Sequence, residues 1–203
     1  EGILEVHWTT GSGNWETWMY GRQLDNWDYY FTWAKWITPS RDIINDFDKE
    51  GDEVRKNQAI VYYACTWSNY YPASNYPFMY KLRSSYNNIY WVRLADIILM
   101  KAEAEAYKGN LAESAKLVNQ IRKRAKLKEL TSDKTGSKEA MIEAVLHERR
   151  LELAFEGERW FDLCRNNKVE KYLNGIDNRD SGRIRQVSQF PLPVVQCTSR
   201  IPS

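Results

Sequence analysis

The stretch that decides the fold class is VRLADIILMKAEAEAYK, residues 92–108. Ala95, Ile98, Leu99, Ala102 and Ala106 recur at the spacing of one helical face, which predicts an α-helix from Val92 to Lys108. Gly109 follows as a residue suited to a left-handed C-terminal cap, and Asn110 with Glu113 has a capping-box pattern. A second helix is expected to continue to near Leu127, with Leu117, Ile121 and Ala125 on one face. A two-residue connection between amphipathic helices makes an antiparallel helical hairpin. Alanines at positions 95, 102, 104, 106, 112 and 115 would let its helices approach closely.

Downstream, residues 131–136 form a polar linker, and Ser137 is placed to cap a third helix from Lys138 to Glu156. That helix is apolar at Met141, Ala144, Val145, Leu151, Ala154 and Phe155. Gly157 marks a break, after which Arg159 to Leu163 is expected to form a short helix burying Trp160, Phe161 and Leu163. From Asn166 the chain is rich in loop residues, and its Phe190-Pro191-Leu192-Pro193 ending predicts an extended strap.

Upstream the composition changes. Residues 1–91 hold eight of the nine Trp and eleven of the thirteen Tyr, with a net charge of −3 against +5 for residues 92–203. Ile3 to Trp8 alternates as a strand, Ser40 is the expected cap of a short helix through Ile43, Ile44 and Phe47, and Ala59 to Tyr63 predicts a strand. Between and after them lie Tyr- and Trp-rich loops at 14–36 and 67–91. The fold class expected is therefore mainly α: helical hairpins with an irregular aromatic-rich region and a few short strands. Residues 1–91 form the loop and short-strand portion and candidate ligand-binding region. Residues 92–203 form the hairpin, helix bundle and strap, and the two together make one domain.

The whole chain has 203 residues, a formal charge of +2, 43% hydrophobic and 14% aromatic residues. Such a composition excludes a disordered chain, and the near-neutral charge argues against a dedicated nucleic-acid or membrane-surface binder. The longest aliphatic run, Ile97 to Met100, is far short of a membrane span. There is no initiator Met or basic-then-apolar leader, so the expectation is that any targeting signal lies upstream and was removed, or that the chain is a fragment. Cys65, Cys164 and Cys197 lack metal or redox spacing and are expected to be small buried hydrophobes, with one disulfide still possible.

Catalytic and metal constellations are sparse. Glu148, Glu152 and Glu156 repeat every four residues, so a glycosidase-like acid pair can be drawn, but Arg149, Arg150 and Arg159 beside them suggest ion pairing. Glu143 and His147 lie one turn apart with no second Glu-x-x-His motif, and no metal or cofactor is expected. The aromatic surplus is more informative. A pyranose presents an apolar C–H face and a rim of hydroxyls, which aromatic platforms flanked by polar side chains can meet. Trp15, Trp18, Trp27 and Tyr29 are the platform candidates, with Asn14, Arg22, Asp25 and Asn26 as hydroxyl partners. Any one of these rings could instead be core or a partner interface. The acidic segment would repel phosphates, which favours sugar over nucleobases.

Three runs carry a family resemblance: VRLADIILMKAEA at 92–104, LVNQIRKRA at 117–125 and, most specifically, ERRLELAFEGERWFDL at 148–163. Together with Thr38-Pro39-Ser40 and Asp52-Glu53-Val54-Arg55, they resemble the C-terminal region of SusD/RagB nutrient-binding proteins. The resemblance implies tetratricopeptide-like hairpins supporting an irregular ligand-binding portion. It also implies an outer-membrane, surface-exposed lipoprotein of Bacteroidota, anchored by a lipid upstream of this chain. Such a protein binds an oligosaccharide or polysaccharide, performs no catalysis and serves a SusC-like TonB-dependent transporter. The 148–163 block would be architectural, and ligand residues follow no family motif. The rival reading is a helical-repeat protein-interaction scaffold with no glycan ligand.

Overall fold

The computed structural model describes residues 1–9, 24, 38–65, 70–83 and 88–173. The described elements are β1 (Gly2–Val6), α1 (Arg41–Glu50), α2 (Glu53–Ala59), β2 (Ile60–Tyr63), β3 (Tyr76–Met79), a 3-10 turn (Tyr80–Leu82) and β4 (Ile89–Arg93). Then come α3 (Leu94–Lys108), α4 (Leu111–Arg124), α5 (Ser132–Thr135), α6 (Lys138–Glu152), α7 (Arg159–Arg165) and α8 (Val169–Leu173). The molecule is mainly helical, and its chain divides into a unit from Glu1 to Arg159 and a second from Trp160.

In the first unit, α3 and α4 make the expected antiparallel hairpin, and α6 packs on both. Ala95, Leu99, Ala102 and Ala106 of α3 meet Leu117, Val118 and Ile121 of α4 and Met141, Val145 and Leu146 of α6 in one buried cluster. The hairpin is tight because Gly109 takes φ +87° and its N–H and that of Asn110 close on the last carbonyls of α3. Ser114 on α4 donates to the Ala102 carbonyl at 2.7 Å, a contact that small residues make possible. The opposite face of α3 presents Leu94, Ile97, Met100 and Tyr107 to solvent. Among the described residues, no helix is long and apolar enough to cross a membrane.

Several boundaries differ from expectation. Val92 and Arg93 are strand, because β1 pairs antiparallel with β4 and the Glu1 carbonyl takes the Leu94 N–H, so α3 opens at Leu94. Asn110 does not cap α4 with its side chain; its Nδ2 donates to Glu105 Oε2 at 2.6 Å instead. α4 stops at Arg124, short of Leu127, where Lys126 adopts φ +60° and Leu127 N–H returns to the Arg122 carbonyl. The 131–136 linker contains the single turn α5. α6 ends at Glu152 rather than Glu156, since Phe155 and Gly157 both take left-handed φ and reverse the chain.

Ser40 and Ser137 cap α1 and α6 as anticipated, each accepting from the backbone N–H three residues on. A second cluster joins α1 to the end of α6 through Ile43, Phe47, Ala59, Ile60, Leu151 and Ala154. In the second unit Leu163 and Val169 are buried with Trp160, Cys164, Tyr172 and Leu173 around them. Phe161 is 57% exposed, contrary to expectation, because on α7 the 160, 163 and 164 positions share a face that 161 does not. Cys65 is fully buried and Cys164 partly buried; Cys197 and the proposed strap lie outside the described residues.

Candidate functional site

The residues proposed as saccharide contacts, Asn14, Trp15, Trp18, Arg22, Asp25, Asn26, Trp27 and Tyr29, all lie outside the described residues. Leu24, in the midst of them, is described and fixed. Its backbone N–H donates to the Arg83 carbonyl at 2.8 Å, and its carbonyl accepts from the Tyr63 hydroxyl at 2.6 Å. The side chain is buried among Cys65, Tyr76 and Phe78, with Val61, Tyr63, Tyr71 and Tyr80 against that cluster. Leu24 is thus tied to the β2–β3 sheet.

That sheet forms because Ile60-Val61-Tyr62-Tyr63 is β-branched and aromatic throughout, and it pairs in register from Ile60 opposite Met79 to Tyr63 opposite Tyr76. A two-stranded sheet tolerates Pro77 in β3, and the Pro77 carbonyl accepts from Thr38 Oγ1 at 2.8 Å. Its aromatic rings pack in a chain of tilted and edge-on contacts: Tyr63 with Phe78, Phe78 with Tyr76, Tyr76 with Tyr71, Tyr71 with Tyr70. At the end of this chain Tyr71 donates its hydroxyl to the Pro39 carbonyl at 2.7 Å, and burial pushes that phenol up to about 12. Arg41, the first residue of α1, stands 4.2 Å from the centroid of the Tyr70 ring and donates from Nη2 to the Tyr70 carbonyl. The Tyr-rich composition of 67–91 signals these rings, but nothing local in the sequence pairs Tyr70 with an arginine 29 residues earlier.

The carboxylates at four-residue spacing occupy a different place. Glu148 Oε1 and Oε2 accept from Arg55 at 2.7 Å and Arg122 at 3.0 Å. Glu152 meets Arg55, Arg93 and Arg124, and Glu156 meets Arg93 and Lys81. Arg149 is buried against Asp96 at 2.7 Å, and Asp52 completes the set by pairing with Arg55. Burial alone would raise the Glu152 carboxyl, but the charges and hydrogen bonds of Arg93 and Arg124 outweigh it and bring it down to about 2. A general acid needs the opposite shift. His147 Nε2 lies 3.1 Å from Glu50 Oε1, whose carboxyl is held well below its usual range by that hydrogen bond and by Arg122 and Lys134, against burial. Among the described residues no group of three metal-ligating side chains converges.

This fold and these motifs have relatives. The profile of the SusD family matches residues 74–192, and the chain belongs to that family. It is 39% identical over 103 residues to SusD-like protein P38 of Formosa agariphila, covering 48% of this chain and 20% of that protein. SusD-like protein P2 of the same organism is 32% identical over 119 residues, 55% of this chain and 24% of the relative. The chain therefore spans about a quarter or less of the length of these relatives. A SusD superfamily protein from Bacteroides vulgatus superposes with a TM-score of 0.57 at 28% identity, over 73% of this chain and 37% of that one. A protein described as a laminarin-binding SusD-like protein shares the fold with a TM-score of 0.61 at 22% identity, over 96% of this chain and 45% of its own.

Proposed function

We propose that this chain is part of a non-catalytic glycan-binding protein that captures a polysaccharide or oligosaccharide at the bacterial surface. It passes the ligand to a SusC-like TonB-dependent transporter in the outer membrane, to which a lipid upstream of these residues anchors it. The observation that carries the reading is family membership across residues 74–192, and the laminarin binding named for one structural neighbour supports a carbohydrate as ligand. The proposed contacts are the rings of Trp15, Trp18, Trp27 and Tyr29, with Asn14, Arg22, Asp25 and Asn26 meeting hydroxyls. Binding without turnover fits the engagement of Glu148 and Glu152 by arginines, with the Glu152 carboxyl held low by Arg93 and Arg124.

Isothermal titration against a panel of polysaccharides tests this directly. Wild-type chain should bind at least one member, and Trp15→Ala and Trp27→Ala should each weaken that binding by about tenfold or more. Unchanged affinity in both variants removes the proposed platform. An assay for released reducing ends should stay at background, and turnover abolished by Glu148→Gln would restore the glycosidase reading. A chain that binds no sugar at all fits the interaction-scaffold alternative.

A further inference from the structure

We infer that the outer face of α3, with the β1–β4 ribbon that leads into it, is an intramolecular docking surface, covered in the whole protein by a further amphipathic helix of the same polypeptide. This rests on the reading of the chain as part of a larger protein and is independent of which ligand that protein takes.

Among the described residues, eight of the ten large hydrophobic side chains left exposed belong to α3, β1 and β4. On α3 they are Leu94, Ile97, Met100 and Tyr107, and Ala104 between the last two is exposed as well. Steps of three or four residues place them on one side of the helix, opposite the buried Ala95, Leu99, Ala102 and Ala106. β4 runs directly into α3 and carries Trp91, at 64% the most exposed of the ten, and its partner strand β1 adds Ile3 and Leu4.

The other helix of the hairpin gives the contrast. α4 exposes Lys116, Gln120 and Lys123 along its outward row, the polar face expected of a helix against water. α3, two residues away in the chain, exposes an apolar row instead. A helix apolar on opposite faces belongs in the middle of a stack, whereas the edge helices of helical arrays carry polar outer faces. The spacing from Leu94 to Tyr107 is the seam along which a second helix packs, so the occupant is an amphipathic helix. A helix of the same polypeptide meets this face at high effective concentration, with no bimolecular association to drive. The two Formosa agariphila relatives have the chain to supply one, since most of their length lies outside the region matched. A second copy fits less well. Antiparallel pairing of α3 about the midpoint of the stripe sets Lys101, 60% exposed and 3.8 Å from Glu113, against its own counterpart.

The experiment is thiol labelling of the 203-residue chain and of the longer polypeptide that its gene encodes. Met100→Cys places a thiol on the stripe, and Gln120→Cys places one on the polar row of α4 as a reference. Maleimide should modify Met100→Cys about tenfold or more slowly in the longer polypeptide than in the chain alone, while Gln120→Cys reacts at similar rates in both. In urea, Ile97→Asp should lower the unfolding midpoint of the longer polypeptide and leave that of the 203-residue chain nearly unchanged. Equal labelling of Met100→Cys in the two proteins overturns the covering helix. Labelling that is already slow in the 203-residue chain and quickens on dilution overturns it in favour of a second copy. A gene product no longer than this chain removes the larger-protein reading and the covering helix together. Neither readout involves a glycan, so a failure here is distinct from a failure to bind sugar.

Discussion

Arg55 Nη1 and Glu148 Oε1 meet at 2.7 Å across 93 residues of chain, both side chains almost wholly removed from water. Neither is adequately satisfied alone, since Glu148 also serves Arg122 and Arg55 also serves Asp52 and Glu152. Replacing Glu148 by Ala leaves Arg55 with Asp52 and Glu152 and Arg122 with Glu50, but removes the carboxylate that lies between the two buried guanidinium groups. Loss of about 3–5 kcal/mol in urea unfolding is expected, and Arg55→Met with Glu148→Leu together should cost less than the two single changes summed.

Acid should loosen the same region. Glu152 has a folded-state value of about 2 against 4.5 when unperturbed, and Glu50 is shifted in the same direction. A depressed carboxylate stabilises the fold at any pH above its unfolded value and loses that contribution as pH falls from about 5 towards 2. Glu152→Gln should therefore flatten the decline of melting temperature between pH 5 and pH 2, a window worth on the order of 3 kcal/mol for this one group. A decline of the same slope in wild type and variant would place the acid sensitivity elsewhere.

The two faces of α3 should respond differently to truncation. Leu99 is fully buried in the α3–α4–α6 cluster, so Leu99→Ala is expected to cost about 3 kcal/mol. Ile97, two residues earlier on the same helix, is 41% exposed, and Ile97→Ala should change unfolding free energy by under about 1 kcal/mol. Comparable losses at both sites in denaturant melts would mean that the outer face is covered in solution.

Tyr63→Phe removes only the hydroxyl that holds the Leu24 carbonyl. A global stability loss of about 1 kcal/mol is expected. Binding of whichever glycan the wild type takes should weaken as well, since Leu24 lies in sequence among the proposed contacts. Equal affinity in the two proteins would show that the segment needs no such anchor.

Much of the helical part was legible because it obeys local rules. The stripe Ala95-Leu99-Ala102-Ala106, Gly109 and Ser137 each specify their own neighbourhood, and each sits in the structure as the spacing implies. The misplaced ends share a cause that lies outside any local window. Val92 and Arg93 leave α3 because a strand more than eighty residues earlier pairs with them, and Glu156 leaves α6 through the left-handed Phe155 to meet Arg93 and Lys81. The glutamate ladder was visible as a pattern, and its neighbouring arginines suggested ion pairs. The partners that dominate, Arg55, Arg93 and Arg122, nevertheless come from α2, β4 and α4, which only the folded chain assembles. Arg41 over Tyr70 was illegible for the same reason.

The ladder on α6 also constrains how relatives of this protein can exchange segments. A crossover at the compositional change near residue 91 would make Arg55 from one parent answer to Glu148 and Glu152 from the other, with each acid also shared among cations from the second parent. A hybrid inherits viable pairings only when both parents place all of these charges alike. Natural mosaics are accordingly expected to transmit positions 55, 93, 122, 148, 152 and 156 as a linked set, so that one charged frame is inherited intact.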